Sequence, residues 1–485
     1  MTSFTLLDLG VLLVYLGGVT AWGAWLGRNQ TGGTDYFLGS RDLPWGAVLL
    51  SVVATETSTL TFLSIPGVAY LGNLGFLQLT LGYLVGRVVV AGVLLPAYYR
   101  GEVATAYTLL ENRFGTGTRR FTSGIFMVTR LLADSVRLFA TAIPLALITG
   151  WPYATSILVI GCLTLVYTYF GGIRAVVWVD ALQMGLYLLG AVVALVVLHT
   201  VVPGGWGGIL SQADAAGKLE WLNLTPDPAI PYTLWAGLLG GGFLSMASHG
   251  TDQLIVQRLL TCRDLGRSRK ALVGSGLVVM VQFALFLLVG IGLWAFYQGR
   301  TFDVPDAIFA TFIIQELPVG VTGLLIAGVF AAAMSSLSSS INSLASASAY
   351  DFWAPMKGKV GDEAAIFRAG RAFTLLWSGL LVGAAILYIP LSQESTAVEV
   401  ALTIASLVYG GLLGAFLLAA GSHRVRQPHV ILGMVAGIGF VTVLWLTAAA
   451  SVGWPWFVPL GTAVTMGVSW GLAWIRPASG QEEGK

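Results

Sequence analysis

The sequence predicts an all-α polytopic membrane protein with about thirteen transmembrane helices. Three observations carry this. Of 485 residues, 56% are hydrophobic and only 10% are charged, against about 25% charged in a soluble domain. The mean hydropathy is +0.82 over the whole length. The apolar residues also fall into thirteen runs, each near the roughly 20 residues that a helix needs to cross a hydrocarbon core. No stretch has the polar surface of a soluble domain. A net charge of +2 excludes the basic footprint of a nucleic-acid binder. Two cysteines, Cys162 and Cys262, make no disulfide framework and read as free thiols.

The runs lie at 4–27, 43–70, 76–98, 121–149, 153–170, 176–202, 232–257, 271–298, 319–346, 370–390, 397–420, 428–450 and 455–475. The first has no basic segment before it and no A-x-A cleavage pattern, so it reads as a span rather than a removed signal. Placing the N-terminus outside puts 20 of the 25 basic residues in inward loops and only Lys218 and Arg300 in outward ones. Arg87, Arg130 and Arg137 fall inside spans. This positive-inside asymmetry implies a multi-pass protein of the cell (inner) membrane, with its C-terminus cytoplasmic. The chain reads as one transporter-sized domain, 1–485. Within it, 1–42 holds the first helix and loop, 43–202 and 232–420 hold five spans each, and 421–485 holds the last two helices and a short tail at 477–485.

Polar groups inside a bilayer are costly and point to function. Ala54-Thr55-Glu56-Thr57-Ser58-Thr59 interrupts the second span. Short hydroxyl residues compete for backbone hydrogen bonds. The stretch is either a break that frees carbonyls toward a cavity or an ion, or an intact helix whose hydroxyls bond back one turn. In the ninth span Ser335, Ser338 and Ser339 share one helical face, bordered by Ser336 and the Ala332 carbonyl. Such hard oxygens suit a small cation; tight packing of small residues is the alternative. Arg130, Asp134 and Arg137 share a face of the fourth span. They form either a paired network or a site for an anionic solute. Asp180 lies at the inner end of the sixth span, either as a helix-end carboxylate near Arg174 or as the negative charge that a serine site lacks. Ser248-His249-Gly250-Thr251-Asp252-Gln253 interrupts the seventh span. No grouping of catalytic residues is present in the sequence, which favours a carrier over an enzyme.

The two interruptions open corresponding five-span blocks, and an odd number of spans inverts one block relative to the other. Inverted repeats that each open on a broken helix match the LeuT-type architecture, here with one extra helix before the repeats and two after. The chain also resembles the sodium:solute symporter family, whose relatives carry proline, sugars, iodide, sialic acid, vitamins and monocarboxylates. Phe170-Gly171-Gly172-Ile173-Arg174-Ala175-Val176-Val177-Trp178-Val179-Asp180-Ala181-Leu182-Gln183 is similar to the family's inner-loop signature. Tyr107-Thr108-Leu109-Leu110-Glu111-Asn112-Arg113-Phe114-Gly115 resembles its Y-E-x-L-E-x-R-F-G loop, with Thr108 where an acid is common. Gln253-Leu254-Ile255-Val256-Gln257-Arg258 resembles its Q-x-x-x-Q-R stretch, and the serine cluster resembles its sodium-site helix.

The resemblance implies a principal sodium site made by the carbonyls of Ala54, Thr57 and Ala332 and the hydroxyls of Ser335 and Ser336. It implies a second sodium site at Asp180, Ser335, Ser338 and Ser339. The solute would lie between the broken helices, with Glu56, Ser58, Thr61, Phe76, Gln78, Arg137 and His249 as candidates. Sugar carriers place an acid and an amide where this chain has Leu60 and Thr61. That disfavours a sugar, while Arg137 and the unwound helix point first to an amino acid or small carboxylate, with a polyol, nucleoside or sugar next. The expected activity is sodium-coupled import by alternating access, with sodium, a small solute and the lipid bilayer as partners, no nucleic acid, and a monomer sufficient. A proton-coupled carrier with Glu56 or Asp180 as the titrating group, and a transporter-like sensor, are the alternatives.

Overall fold

The computed structural model describes residues 4–28, 30–101, 103–302, 307–391, 397–448 and 451–475. The expected tail at 477–485, together with Arg476 and the end of the twelfth run at 449–450, lies outside them. The first half comprises α1 (Leu6–Leu26), α2 (Gly33–Leu38), α3 (Trp45–Glu56), α4 (Thr59–Leu71), α5 (Leu77–Arg100), α6 (Thr108–Phe114), α7 (Thr116–Thr149), α8 (Tyr153–Val201) and α9 (Gly205–Ala215). The second comprises α10 (Gly242–Gly250), α11 (Gln253–Leu259), α12 (Leu265–Tyr297), α13 (Ala307–Gln315), α14 (Val321–Ala347), α15 (Ala354–Met356), α16 (Glu363–Tyr388), α17 (Ala397–Gly421), α18 (Gln427–Ala448) and α19 (Phe457–Ile475). No strand is present among the described residues.

Nine of these segments are long and apolar enough to cross a membrane, and ten with α3 and α4 taken as one bent span. The thirteen expected runs differ from these segments at three places. The fifth and sixth runs both lie in the 49-residue α8, on either side of a kink. Only Gly172 leaves the helical region there, at φ 51° and ψ −155°, a conformation open to glycine. The seventh run is split between α10 and α11, and α7 carries Arg130, Asp134 and Arg137 along its length.

Both expected interruptions are real. α3 ends at Glu56, Thr57 and Ser58 are extended, and the Ser58 hydroxyl caps α4 by accepting from the Thr61 amide at 3.4 Å. The two halves meet at 60°. α10 ends at Gly250, and Asp252 caps α11 by accepting from the Leu254 amide at 3.0 Å. Extended residues followed by a side-chain cap end one helix and start the next.

α14 runs through the middle of the molecule and is buried along nearly its whole length. Its first turn is fixed by α1, where the Asp8 carboxylate accepts from the amides of Gly320 at 2.7 Å and Gly323 at 2.8 Å. On the face that carries Asp8, the Lys218 ammonium donates to the carbonyls of Tyr70 and Gly72 at the end of α4. On the opposite face Asp351, just beyond α14, accepts from Thr105, Ser123 and Arg119.

Candidate sodium and solute sites

The α3–α4 break faces α14. Where the helix stops, its last carbonyls lose their partners one turn on. The Ser335 hydroxyl lies 3.3 Å from the Ala54 carbonyl and 3.0 Å from the Ala332 carbonyl, and the Ser336 hydroxyl lies 3.2 Å from the latter. The Thr57 hydroxyl turns away and accepts from the buried Gln282 amide. Carbonyls and hydroxyls are hard, neutral donors of the kind that suits an alkali cation. Four of the five expected residues of the principal site thus meet through their oxygens, and Thr57 sits at the break itself.

One turn further on, Asp180 of α8 faces Ser339, but a cation of the protein already stands between them. Arg258 of α11 donates from Nη2 to Asp180 at 3.3 Å and also to the Ser339 hydroxyl. Ser51 bridges the same pair, donating to Asp180 at 2.7 Å and accepting from Arg258 Nε at 3.0 Å. Ser338 and Ser339 donate back to the Ser335 carbonyl at 3.1 Å and 2.6 Å. Asp180 Oδ1 is buried without a partner. The expected tie of Asp180 to Arg174 is absent among its described contacts. Arg258, placed in an inward loop by its sequence position, is fully buried.

A cavity of about 240 Å³ lies beside the break. Glu56, Ser58, Thr61, Phe76, Arg137 and His249 line it, as expected. The side chain of Leu60 lies outside the described residues. Gln78 lies apart from these residues. Its amide donates to the carbonyls of Gly75 and Tyr232 and its oxygen accepts from the Asn223 amide, so it pins a loop rather than facing the cavity. Further hydroxyls come from Thr55, Ser64, Ser245, Ser248 and Ser406, and Phe76 stacks on Phe283 with ring centroids 5.0 Å apart.

The charges around the cavity are paired. Glu56 bonds Arg87 of α5, which is wholly buried, and lies 3.6 Å from His249 Nε2. Arg130 bonds Asp252 and Tyr409, closing the cavity floor across α7, α11 and α17. Tyr409 donates to Asp252 at 2.8 Å. Asp134 lies 3.1 Å from Arg137 and 3.7 Å from Arg130. The network expected at Arg130, Asp134 and Arg137 is therefore real, yet it leaves Arg137 Nε buried without a partner at the cavity wall. Four arginines (87, 130, 137 and 258) face four carboxylates (56, 134, 180 and 252), so this core is electrically balanced. Sequence spacing pointed to neither Arg87 as the partner of Glu56 nor Arg258 as the partner of Asp180.

Residues 36–437 match the model of the sodium:solute symporter family. The chain is 30% identical to the sodium/sialic acid symporter NanT of Aliivibrio fischeri, over 96% of this chain and 92% of that one. It is 27% identical to the sodium/sialic acid symporter SiaT of Proteus mirabilis (90% and 89%) and 29% identical to the human sodium/iodide cotransporter (92% and 71%). In fold it is similar to a Na+-coupled sialic acid symporter solved in a substrate-bound outward-open state, with a TM-score of 0.87, 24% identity, and 99% and 100% of the two chains covered. It is also similar to Mhp1, a nucleobase-cation-symport-1 family transporter, with a TM-score of 0.53, 13% identity, and 91% and 94% covered. The chain belongs to the sodium:solute symporter family and is a multi-pass, sodium-coupled solute symporter of the LeuT-type all-helical fold.

Proposed function

We propose that the solute is a sialic acid, an anionic sugar, rather than an amino acid or a small carboxylate. The observation that carries this is the pairing, in one cavity, of Arg137 with a free Nε and a wall of seven hydroxyls from Thr55, Ser58, Thr61, Ser64, Ser245, Ser248 and Ser406. A guanidinium suits a carboxylate, and the hydroxyls suit a polyol ring and tail. The Thr55, Ser58, Ser245 and Ser248 hydroxyls also bond protein groups, and the Ser64 hydroxyl is buried without a partner. Phe76, Tyr232 and Trp454 offer apolar faces toward the mouth. The names of the two bacterial relatives agree with this chemistry.

Sodium binds in this reading at the principal site, through the carbonyls of Ala54, Thr57 and Ala332 and the hydroxyls of Ser335 and Ser336. A second ion binds at Asp180, Ser335, Ser338 and Ser339, more weakly, because it must share Asp180 with Arg258. The ions join the repeat at 43–202 to that at 232–420 and favour the state whose cavity opens on the N-terminal face, since a ligand shifts a population only by its differential affinity. The basic residues support a cell-membrane orientation with that face outside and the C-terminus in the cytoplasm. A monomer is sufficient.

The test is sialic acid uptake into proteoliposomes. An inward sodium gradient should drive accumulation that a choline gradient does not. Arg137→Gln should raise KM roughly 10- to 100-fold, the loss of a charge-assisted hydrogen bond. Equal uptake in choline, or an unchanged KM in the variant, would overturn the reading.

A further inference from the structure

Asp134 stands between the solute cavity and the sodium helix. Its Oδ1 lies 3.1 Å from Arg137 Nη1, and its Oδ2 accepts from the Ser340 hydroxyl of α14. One carboxylate thus holds both the guanidinium at the cavity wall and the helix that carries Ser335 and Ser336. Among the described residues Arg137 makes one ion pair, to Asp134. Arg130, in contrast, is already engaged by Asp252 and Tyr409.

A second observation joins the same groups. A small void of about 10 Å³ is bordered by Asp134, Arg137, Ser58 and Ser336. It is close to the room one water needs, roughly 10–15 Å³. Ser336 belongs to the principal sodium set, and Ser58 follows the break that supplies its carbonyls. The acid, the solute-facing arginine and a sodium-site hydroxyl therefore border one small void within the protein, where charges act on each other more strongly than in water.

We propose that Asp134 is the positioning residue that couples the two ligands. Without solute, it neutralises Arg137. When a solute carboxylate takes its share of that guanidinium, the charge of Asp134 is left less compensated, beside Ser336 and α14. Sodium then binds more tightly at Ser335 and Ser336. By linkage, sodium tightens the solute by the same factor. Ser340 carries the effect in geometric form, because it ties the carboxylate to the sodium helix whichever partner Arg137 takes. The proposal rests on the reading that an anionic solute meets Arg137.

The experiment is a pair of titrations on the purified full-length protein, sialic acid binding with and without sodium and sodium binding with and without sialic acid. For the wild type we expect each ligand to tighten the other by about tenfold, within the usual range for two-site coupling. Asp134→Asn keeps the shape, can still accept from Arg137 through its one oxygen while its NH2 reverses the bond to Ser340, and removes the charge. Its coupling factor should fall to about twofold or less. A merely structural role would weaken both affinities and leave their ratio intact, which would overturn the proposal. Should Asp134→Asn fail to fold, Ser340→Ala carries the same test, with a severalfold loss of coupling expected and a full wild-type factor overturning it. Absence of any sialic acid binding in the wild type would instead sink the reading of the solute, and the proposal with it. Full coupling in the wild type that persists in both variants would sink the proposal alone.

Discussion

The two serine sites on α14 use the same residue type one turn apart, yet they differ in kind. At Ser335 and Ser336 the facing groups are backbone carbonyls freed by the α3–α4 break, and among the described contacts of these hydroxyls none is to a cationic side chain. At Ser338 and Ser339 the facing group is a carboxylate, and Arg258 already sits against it. The first site offers a cation an open set of neutral oxygens. The second offers stronger charge but sets an internal competitor in the way. What a serine cluster can bind is therefore decided by what other helices bring to it, not by its own spacing.

That comparison can be broken most severely at Arg258. Removing one partner of a buried ion pair costs roughly 3–5 kcal/mol, so Arg258→Met should lower the melting temperature markedly in potassium buffer. Sodium should then restore more stability than it gives the wild type, because Asp180 is free to take it. Equal sodium shifts in both proteins would remove the second site. Next in size is Ser335→Ala, which touches both sites. It should raise the sodium concentration for half-maximal uptake roughly 10- to 100-fold, the worth of a hydrogen bond to a charged partner. A shift below threefold would place the principal ion elsewhere. The smallest effect is expected for Ser339→Ala. The sodium Hill coefficient of uptake should fall toward one while half-saturation moves by less than about tenfold. An unchanged coefficient would mean that Arg258 never yields its place.

Much of the frame was legible from residues alone, and the reasons are local. Hydroxyl residues and glycine interrupt an apolar run where the chain unwinds, so both breaks could be read at Thr57-Ser58 and Thr251-Asp252. Periodicity placed Ser335, Ser338 and Ser339 on one face. Partners from distant helices could not be read in this way. Arg87 lies 31 positions from Glu56, and Arg258 lies 78 from Asp180, joined only by packing. Nor could the place of Gln78 be read, since a polar side chain in a span looks the same whether it faces a cavity or pins a loop. The boundary inside α8 was legible because a glycine pair beside an arginine breaks the apolar run, and Gly172 is where the helix kinks.

The pairing of four arginines with four carboxylates around these sites has an electrical consequence. A core with no net charge returns empty without feeling the membrane voltage. Loaded with one sodium and one monovalent anion, it crosses equally unaffected, and uptake depends on concentrations alone. Loaded with a second sodium, each turnover moves one net charge inward. A potential of 100 mV then contributes about 2.3 kcal/mol, enough to raise the attainable solute ratio roughly 50-fold at 1.4 kcal/mol per tenfold. A transport current evoked by the anionic solute would thus be the direct electrical signature of an ion at Asp180, and silence would mark a carrier that runs on one.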